Sequence, residues 1–292
     1  MRKILVPTDF SEPAYNAARY AINLARVIKA DIALCHAMLI PVESPLVQSS
    51  WPPDYLSVKN QSEEGLQFLS SSLIEKESLS DHKELKVTQI SFVAEVGSVA
   101  DIVSNIVDYE DIDLVVMGLR GKSIEGNRFI GSNSLRVINK AVTPVILVPD
   151  HATFTIIKKI AFATDLTSSD IDVIQALSDL ARNFNAEILI THVSRKKVDY
   201  QEHQREIDDF MNEVRCKINY DLVYYRHINK DNVNSGLKWL IENSEVDMLV
   251  MVHRQRSFFS GLFKSSHTQK LAKHIQIPLL VYPEAVEGIM YF

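Results

Sequence analysis

The sequence has few cysteines and no long apolar run. Its two cysteines, Cys35 and Cys216, are too few and too far apart for a disulfide framework or a cysteine-rich metal motif, and we expect both thiols to be buried or inert. No apolar stretch approaches the roughly 18 to 20 residues that cross a bilayer, so we expect no membrane partner. Because a strand pattern begins at Lys3, there is no room before it for a signal sequence, and we expect a cytoplasmic location.

The sequence also lacks an excess of basic residues. Its 31 lysines and arginines are outnumbered by 37 aspartates and glutamates, which gives a formal net charge of −6. Nucleic-acid-binding proteins normally concentrate a basic excess on one face, so we expect no nucleic-acid partner. The composition, 46% hydrophobic and 23% charged, is that of an ordinary globular protein, and 292 residues are enough for about two domains.

An internal repeat agrees with two domains. Residues 3–11, Lys-Ile-Leu-Val-Pro-Thr-Asp-Phe-Ser, reappear as residues 159–167, Lys-Ile-Ala-Phe-Ala-Thr-Asp-Leu-Thr, at an offset of 156. The same offset relates His36 to His192, each near the end of a second strand pattern. Two copies of one structural unit are therefore predicted.

The repeat also locates the domain boundaries. Further along the chain the offset falls to 134, which pairs Thr143-Pro144 with Ile277-Pro278, so the second copy lacks 22 residues between its second and third strands. The segment that joins the two copies is short and polar. We predict one domain at residues 1–150 and a second at residues 155–285.

Within each copy, short apolar runs alternate with helical periodicity. This alternation is typical of βαβ units with a parallel sheet, so each domain is predicted to be a doubly wound α/β fold. Ser11 is a suitable N-cap for the first helix, and the prolines between residues 39 and 60 indicate a long loop there. In the first copy the predicted strands are 3–6, 31–37, 86–95, 113–117 and 144–148, and the predicted helices are 12–29, 60–78, 98–109 and 132–141.

Three glycines follow the fourth predicted strand at a spacing that suggests a phosphate cradle. Gly118 comes directly after the strand and Gly121 lies in the next turn, where glycine permits a positive φ or close approach of the backbone to a ligand. Gly131 precedes Ser132-Asn133-Ser134, which are suited to capping the following helix. The first amides of that helix and its dipole would hold an anion.

Two better-known phosphate motifs do not fit this spacing. Gly121-Lys122-Ser123 is similar to the end of a P-loop, but the first glycine of that motif would fall at Val116. Gly118 and Gly121 are separated by two residues, whereas the dinucleotide fingerprint requires one. The segment is therefore neither motif.

Taken together, four features resemble the universal stress protein family. They are the Val-Pro-Thr-Asp-Phe-Ser run at residues 6–11, a strand ending in His36, the pattern Gly118-x2-Gly121-x9-Gly131-Ser132, and the Thr-Pro-Val-Ile-Leu-Val ending at residues 143–148. The resemblance covers nearly the whole chain as two tandem domains. It implies five parallel strands in the order 3-2-1-4-5 in each domain. It also implies that the two fifth strands pair in an intrachain pseudo-dimer, with a homodimer as a further alternative.

In members that retain the glycine pattern, the resemblance implies binding of ATP or a related adenine nucleotide such as ADP or AMP, with or without Mg²⁺. Pro7, Thr8 and Asp9 would then line the adenosine, the backbone of Ala37 would meet the adenine edge, and Gly118 would lie against the ribose. The phosphates would be bound by Gly121, Gly131, Ser132 and Asn133. Positive charge for the phosphates is available from Lys122, and also from Arg120 and Arg128.

The second copy is predicted not to bind the same ligand. Val252, Gln255 and Ser265 stand where the first copy has its three glycines, so side chains would occupy the path of the backbone approach. The aromatic residues of the loop 257–264 are expected to fill the vacated cleft or to contact the other domain. A different anion site remains open as an alternative because basic side chains are available at Arg254, Arg256, Lys264 and His267.

Three functions remain in competition. The favoured one is a sensor or regulator in which the bound nucleotide changes contacts with an unknown protein partner. The alternatives are a slow ATPase or phosphotransferase, and a nucleotide-free scaffold. No catalytic residue or metal ligand is assigned, because the sequence offers no well-placed base beyond Asp9, and His36 and His192 are interpreted as structural.

Overall fold

The computed structural model describes residues 2–38, 55–78, 89–119, 130–194, 200–254 and 276–284. In the first half the elements are β1 (Lys3–Thr8), α1 (Glu12–Ile28), β2 (Asp31–Met38), α2 (Tyr55–Ser78), β3 (Ile90–Val96), α3 (Val99–Tyr109), β4 (Leu114–Gly118), α4 (Ser132–Lys140) and β5 (Val145–Val148). In the second half they are β6 (Lys159–Ala163), α5 (Ser169–Arg182), β7 (Glu187–Ser194), α6 (Tyr200–Lys217), β8 (Val223–Asn229), α7 (Val233–Asn243), β9 (Met248–His253) and β10 (Leu279–Pro283). Among the described helices, none has the length and apolar character needed to cross a membrane.

The strands form one ten-stranded sheet in the order β3-β2-β1-β4-β5-β10-β9-β6-β7-β8. Within each half the pairing is parallel and the order is 3-2-1-4-5, as predicted from the family resemblance. The two halves meet where β10 pairs with β5 in the antiparallel direction, with Leu280 opposite Ile146. The predicted pairing of the two fifth strands within the chain is therefore present.

Both faces of the sheet are covered, as a doubly wound fold requires. On β1, Ile4 and Val6 belong to one buried cluster, while Leu5 belongs to the cluster on the opposite face. All three are at most 1% exposed, so the strand is apolar at consecutive positions, as expected for a parallel strand buried on both sides.

The first helix confirms the predicted cap. The hydroxyl of Ser11 accepts a hydrogen bond from the amide of Ala14 at 3.4 Å, and Pro13 lies in the first turn, where no amide hydrogen is needed. The buried face consists largely of alanines, which lets the helix approach the sheet closely. Because α1 starts three residues after Asp9, this short connection fixes where that carboxylate lies.

The prediction for the second helix was wrong at its start. α2 begins at Tyr55 and not at residue 60, so part of the predicted loop is helical. Pro52 and Pro53 come before this helix, where they do not interrupt its hydrogen bonds. Residues 39–54, including Trp51, lie outside the described residues.

The connection between the halves lies against α1. The side-chain amide of Asn16 donates to the carbonyl oxygens of Pro149 at 3.1 Å and Ala152 at 2.9 Å. The ring of Phe154 packs edge-on against Tyr20 at 5.2 Å and lies 6.5 Å from Phe184 in the second half. The linker is therefore held by contacts to both halves.

Candidate functional site

A cavity lies at the carboxyl ends of β1 and β4. These two strands are neighbours in the sheet, with β2 and β3 on one side of them and β5 on the other, so the strand order switches between β1 and β4. Ligands of doubly wound folds bind at such a switch point. The cavity has a volume of about 330 Å³. This volume falls in the range of small-molecule sites, about 300 to 1,000 Å³.

Residues from distant parts of the sequence line this cavity. Eight of the ten predicted site residues are among them: Pro7, Thr8, Asp9, Ala37, Gly118, Gly131, Ser132 and Asn133. The other two, Gly121 and Lys122, lie outside the described residues, as do Arg120 and Arg128. The fold thus brings together every predicted site residue that the structure describes.

At one end of the cavity is the amino terminus of α4. This helix begins at Ser132, as predicted, but Gly131 is its N-cap, so the prediction that Ser132, Asn133 and Ser134 cap it was wrong. Gly131 makes no side-chain capping hydrogen bond, so no side chain of the N-cap residue competes for the amides of the first turn. The hydroxyl of Ser134 instead donates to the carbonyl oxygen of Gly118 at 3.0 Å, which joins α4 to the end of β4.

The two described glycines of the motif do not need a positive φ. Gly131 has φ −61° and ψ 149°, and Gly118 is the last residue of β4. Within the described ranges, Gly97 is the glycine with a positive φ, at 150°. Of the two reasons considered for Gly118, close approach of the backbone to a ligand is therefore the one that remains.

Hydrogen bonds fix the side chains at the end of β1. One carboxylate oxygen of Asp9, Oδ1, accepts from the amide of Ser11 at 3.0 Å and from the Ser11 hydroxyl. The hydroxyl of Thr8 accepts from the amide of Phe10 at 3.0 Å, and Nδ1 of His36 donates to the carbonyl oxygen of Thr8 at 2.8 Å. The ring of Phe10 lies against His36, with centroids 4.5 Å apart. His36 thus supports the backbone of the site, in agreement with the structural role predicted for it.

The apolar part of the cavity was missed in the sequence. The additional apolar lining residues are Ala14, Cys35, Val99, Ile102 and Met117, and the polar Ser134 completes the lining. One of these residues could have been found from the sequence: side chains alternate between the two faces along β2, so Cys35 lies on the same face of the sheet as Ala37. Burial raises the pKa of the Cys35 thiol to about 12, with further contributions from the charges of Glu95 and Glu110, so this thiol is protonated and inert at neutral pH.

Cys216 departs from one part of the prediction. Its side chain is exposed, whereas both cysteines were expected to be buried or inert. It lies in the last turn of α6, where an exposed position on the helix surface needs no apolar partner.

A protein-held Mg²⁺ is not supported by the described lining residues. Asp9 is the single carboxylate among them, and the described part of the chain holds no group of three His, Cys, Asp or Glu residues suited to a metal ion. Mg²⁺ in nucleotide sites is usually held by one or two carboxylates together with the phosphates. A Mg²⁺ at this cavity would therefore have to be shared between Asp9 and the phosphates of a bound nucleotide.

The equivalent region of the second half has different chemistry. Arg254 follows β9 and is 9% exposed, and its guanidinium contacts Asp170 and the hydroxyls of Thr167 and Ser169. Val252, which replaces the first glycine, is buried in β9. Gln255, Ser265, the aromatic loop 257–264 and the remaining basic residues of the proposed anion site lie outside the described residues.

Comparisons with known proteins agree with this fold. A family model for the universal stress protein family matches residues 1–149 and again residues 157–283. A universal stress protein of Methanocaldococcus jannaschii is 28% identical over 151 residues, which are 50% of this chain and 81% of that protein.

Solved structures resemble the whole chain. The crystal structure of a universal stress protein from Archaeoglobus fulgidus has a TM-score of 0.69 at 16% identity, covering 97% of this chain and 98% of that one. A Pseudomonas aeruginosa protein assigned to the same family has a TM-score of 0.61 at 13% identity, covering 97% and 93% of the two chains. At these identities the structures establish the fold alone. Because the family model matches both halves, the chain belongs to the universal stress protein family, as a member with two tandem domains.

Proposed function

We propose that the first half binds ATP or a related adenine nucleotide in the cavity at the ends of β1 and β4. In this proposal the bound nucleotide regulates contacts with a protein partner. The main support for the proposal is the cavity itself, which collects residues from five separate segments around a volume suited to a small molecule.

The lining of the cavity combines the kinds of surface that a nucleotide requires. Val99, Ile102 and Met117 are apolar and suit the flat face of a base. Gly131 and the first turn of α4 also line the cavity, and the amides and dipole of this helix favour phosphate oxygens. Asp9 offers a carboxylate that accepts hydrogen bonds from a sugar or base.

Isothermal titration calorimetry with ATP, ADP and AMP tests the proposal, with Gly131→Val as the first variant. The φ and ψ of Gly131 are accessible to valine, so this substitution is expected to preserve the fold while the added side chain blocks the approach of phosphate. We expect one binding site per chain in the wild type and loss of binding in the variant. Failure of the wild type to bind any of the three nucleotides would overturn the proposal.

The internal repeat supplies a matched control. Asp9→Asn removes a charged acceptor from the cavity and is expected to weaken nucleotide binding by about tenfold, the effect of losing one hydrogen bond to a charged group. Asp165→Asn makes the same change at the equivalent position of the second half and is expected to leave the affinity unchanged. Equal effects of the two substitutions would place the nucleotide elsewhere.

The regulatory part of the proposal has its own test. Asn16 joins α1, which starts beside Asp9, to the linker between the halves. If the nucleotide state is transmitted, ATP should slow hydrogen exchange in the linker, residues 149–158, as well as around the cavity. Protection confined to residues that line the cavity would contradict a sensor and leave a simple binding protein.

A further inference from the structure

The second half has a buried ion pair at the position equivalent to the cavity of the first half. At the offset of 156, Asp165 corresponds to Asp9 and Asp170 corresponds to Ala14, both of which line the first cavity. Ala14 leaves open space, whereas the side chain of Asp170 is fully buried. The change from Ala14 to Asp170 thus places a carboxylate in the region of the second half that is equivalent to the first cavity, around Asp165, Asp170 and Arg254, which we call the second cleft.

Arg254 occupies the space beside this carboxylate. One terminal nitrogen of its guanidinium, NH2, donates to Oδ1 of Asp170, to the hydroxyl of Thr167 at 2.8 Å and to the hydroxyl of Ser169 at 3.0 Å. The other terminal nitrogen, NH1, lies 3.8 Å from Oδ2 of Asp165. These contacts join the end of β9 to the start of α5.

The buried carboxylate of Asp170 is hydrogen-bonded at both of its oxygens. The second oxygen of Asp170 accepts a hydrogen bond from the hydroxyl of Thr164 at 2.5 Å, so both carboxylate oxygens have partners. A buried cation is tolerated when it is paired and hydrogen-bonded, and Arg254 meets both conditions. An approaching anion would meet the carboxylates that already neutralise this arginine, which argues against Arg254 as part of an anion site.

We propose that Arg254 is a built-in occupant of the second cleft, whose guanidinium takes the place of a bound molecule and holds the end of β9 against the start of α5 without a ligand. Its guanidinium bridges the end of one strand and the start of one helix, the two elements whose equivalents face each other across the first cavity. The second cleft is then permanently occupied by a side chain of the protein itself. This inference concerns a different site from the proposed nucleotide cavity and does not depend on it.

The proposal can be tested by removing the Arg254 side chain and restoring its guanidinium with a small molecule (chemical rescue). Arg254→Ala removes the guanidinium and leaves Asp170 buried without its main partner, so we expect the melting temperature to fall by about 6 to 20 °C. Ethylguanidinium, the fragment that the substitution removes, should bind this variant with one-to-one stoichiometry in calorimetry. At low millimolar concentration it should restore part of the melting temperature.

Two controls define the site. Wild-type protein and the variant with both Arg254→Ala and Asp170→Ala should neither bind ethylguanidinium nor be stabilised by it, because the site is occupied in one and lacks its carboxylate in the other. Equal stabilisation of all three proteins, or no response of Arg254→Ala, would overturn the proposal. None of these measurements uses a nucleotide, so their outcome is separate from that of the nucleotide titration.

A second variant carries the test if Arg254→Ala does not fold. Arg254→Lys keeps the charge and most of the stem, but a single ammonium cannot reproduce the guanidinium fork. We expect a lower melting temperature and faster hydrogen exchange in residues 164–170, neither of which ethylguanidinium restores. Unchanged stability and exchange in Arg254→Lys would show that the guanidinium is not the occupant that holds the cleft.

Discussion

Phe10 and Leu166 have the same left-handed backbone conformation, with φ of 58° and 59°. Their amides donate to the hydroxyls of Thr8 and Thr164, at 3.0 and 2.8 Å. A left-handed conformation is unfavourable for residues with a side chain, so its presence at both positions shows that the two halves build the same turn after their first strand. The halves therefore differ through the side chains placed around that turn.

The two threonines of this turn give a matched pair of substitutions. Thr8→Val removes an acceptor from one amide and is expected to lower the free energy of unfolding by about 1 kcal/mol. Thr164→Val also removes the donor to the buried Asp170, and hydrogen bonds to charged groups contribute about 1.5 to 3 kcal/mol, so its loss should be larger. Urea unfolding followed by circular dichroism measures both, and equal losses would contradict the contribution assigned to the Asp170 contact.

The carboxyl of Asp165 should make stability depend on pH. Burial raises the pKa of Asp165 to about 6, with Asp170 adding to the increase and Arg254 opposing it. The folded state therefore holds this proton more tightly than the unfolded state between about pH 4 and pH 6, so the contribution of Asp165 to stability falls as pH rises through that window. The stability of Asp165→Asn relative to wild type should rise from pH 4 to pH 6 and then level off. A pH-independent difference between the two proteins would contradict the raised pKa.

Two helical glycines are expected to respond differently to alanine. A Cβ on Gly236 would lie 2.5 Å from Cγ1 and 3.2 Å from Cβ of Val193, a short branched side chain on β7. Gly236→Ala should lower the free energy of unfolding by about 1 to 2 kcal/mol, because overpacking outweighs the gain in helix propensity. In a Gly236→Ala, Val193→Ala double variant this overpacking should be relieved, giving a cost below the sum of the single changes.

Gly65→Ala is the control for this prediction. A Cβ on Gly65 would approach the tip of the Phe10 ring at 2.9 Å, but Phe10 is 39% exposed, so its side chain can move outward. Together with the higher helix propensity of alanine, this should leave stability within about 1 kcal/mol of wild type. Thermal unfolding of both alanine variants side by side distinguishes the two environments, and a larger loss for Gly65→Ala would show that Phe10 is held rigidly.

The contact between α1 and the linker can be tested within one helix. Asn16→Ala removes both hydrogen bonds to the linker and should speed hydrogen exchange in residues 149–158, with a stability loss of about 1 to 2 kcal/mol. Asn23→Ala is the control, since the Asn23 amide donates to the carbonyl oxygen of Arg19 in the same helix. If the two variants exchange alike in the linker, Asn16 does not hold it.

Much of the fold could be predicted because the apolar runs of buried parallel strands and the 3.6 periodicity of the helices are local signals. The end of α1 shows this: the predicted range 12–29 and the observed Glu12–Ile28 differ by one residue. The start of α2 was missed because proline excludes a helix interior but not the turn before it. The first residue of α4, Ser132, was predicted correctly, but the cap was missed because polar side chains were favoured over Gly131, which caps the helix without a side chain.

The candidate sites could likewise be predicted only in part from the sequence. The loops at the carboxyl ends of β1 and β4 could be located from strand order and glycine spacing, which depend on the backbone. Asp170 could not, because its contact with Arg254 joins residues 84 positions apart and depends on side-chain packing. The signal was nevertheless present in the repeat, where Asp170 replaces the equivalent Ala14 while Arg254 follows the strand that lost its glycine.

The antiparallel pairing of β5 with β10 has a consequence for how this protein responds to its concentration. In a dimer of separate chains, such a joint would form and dissociate according to the amount of protein present. Here the partner strands are parts of one polypeptide, so their effective concentration is set by the intervening chain and not by expression level. Dilution cannot separate the two halves, and any response of one half that passes through this joint has the same strength at every protein concentration.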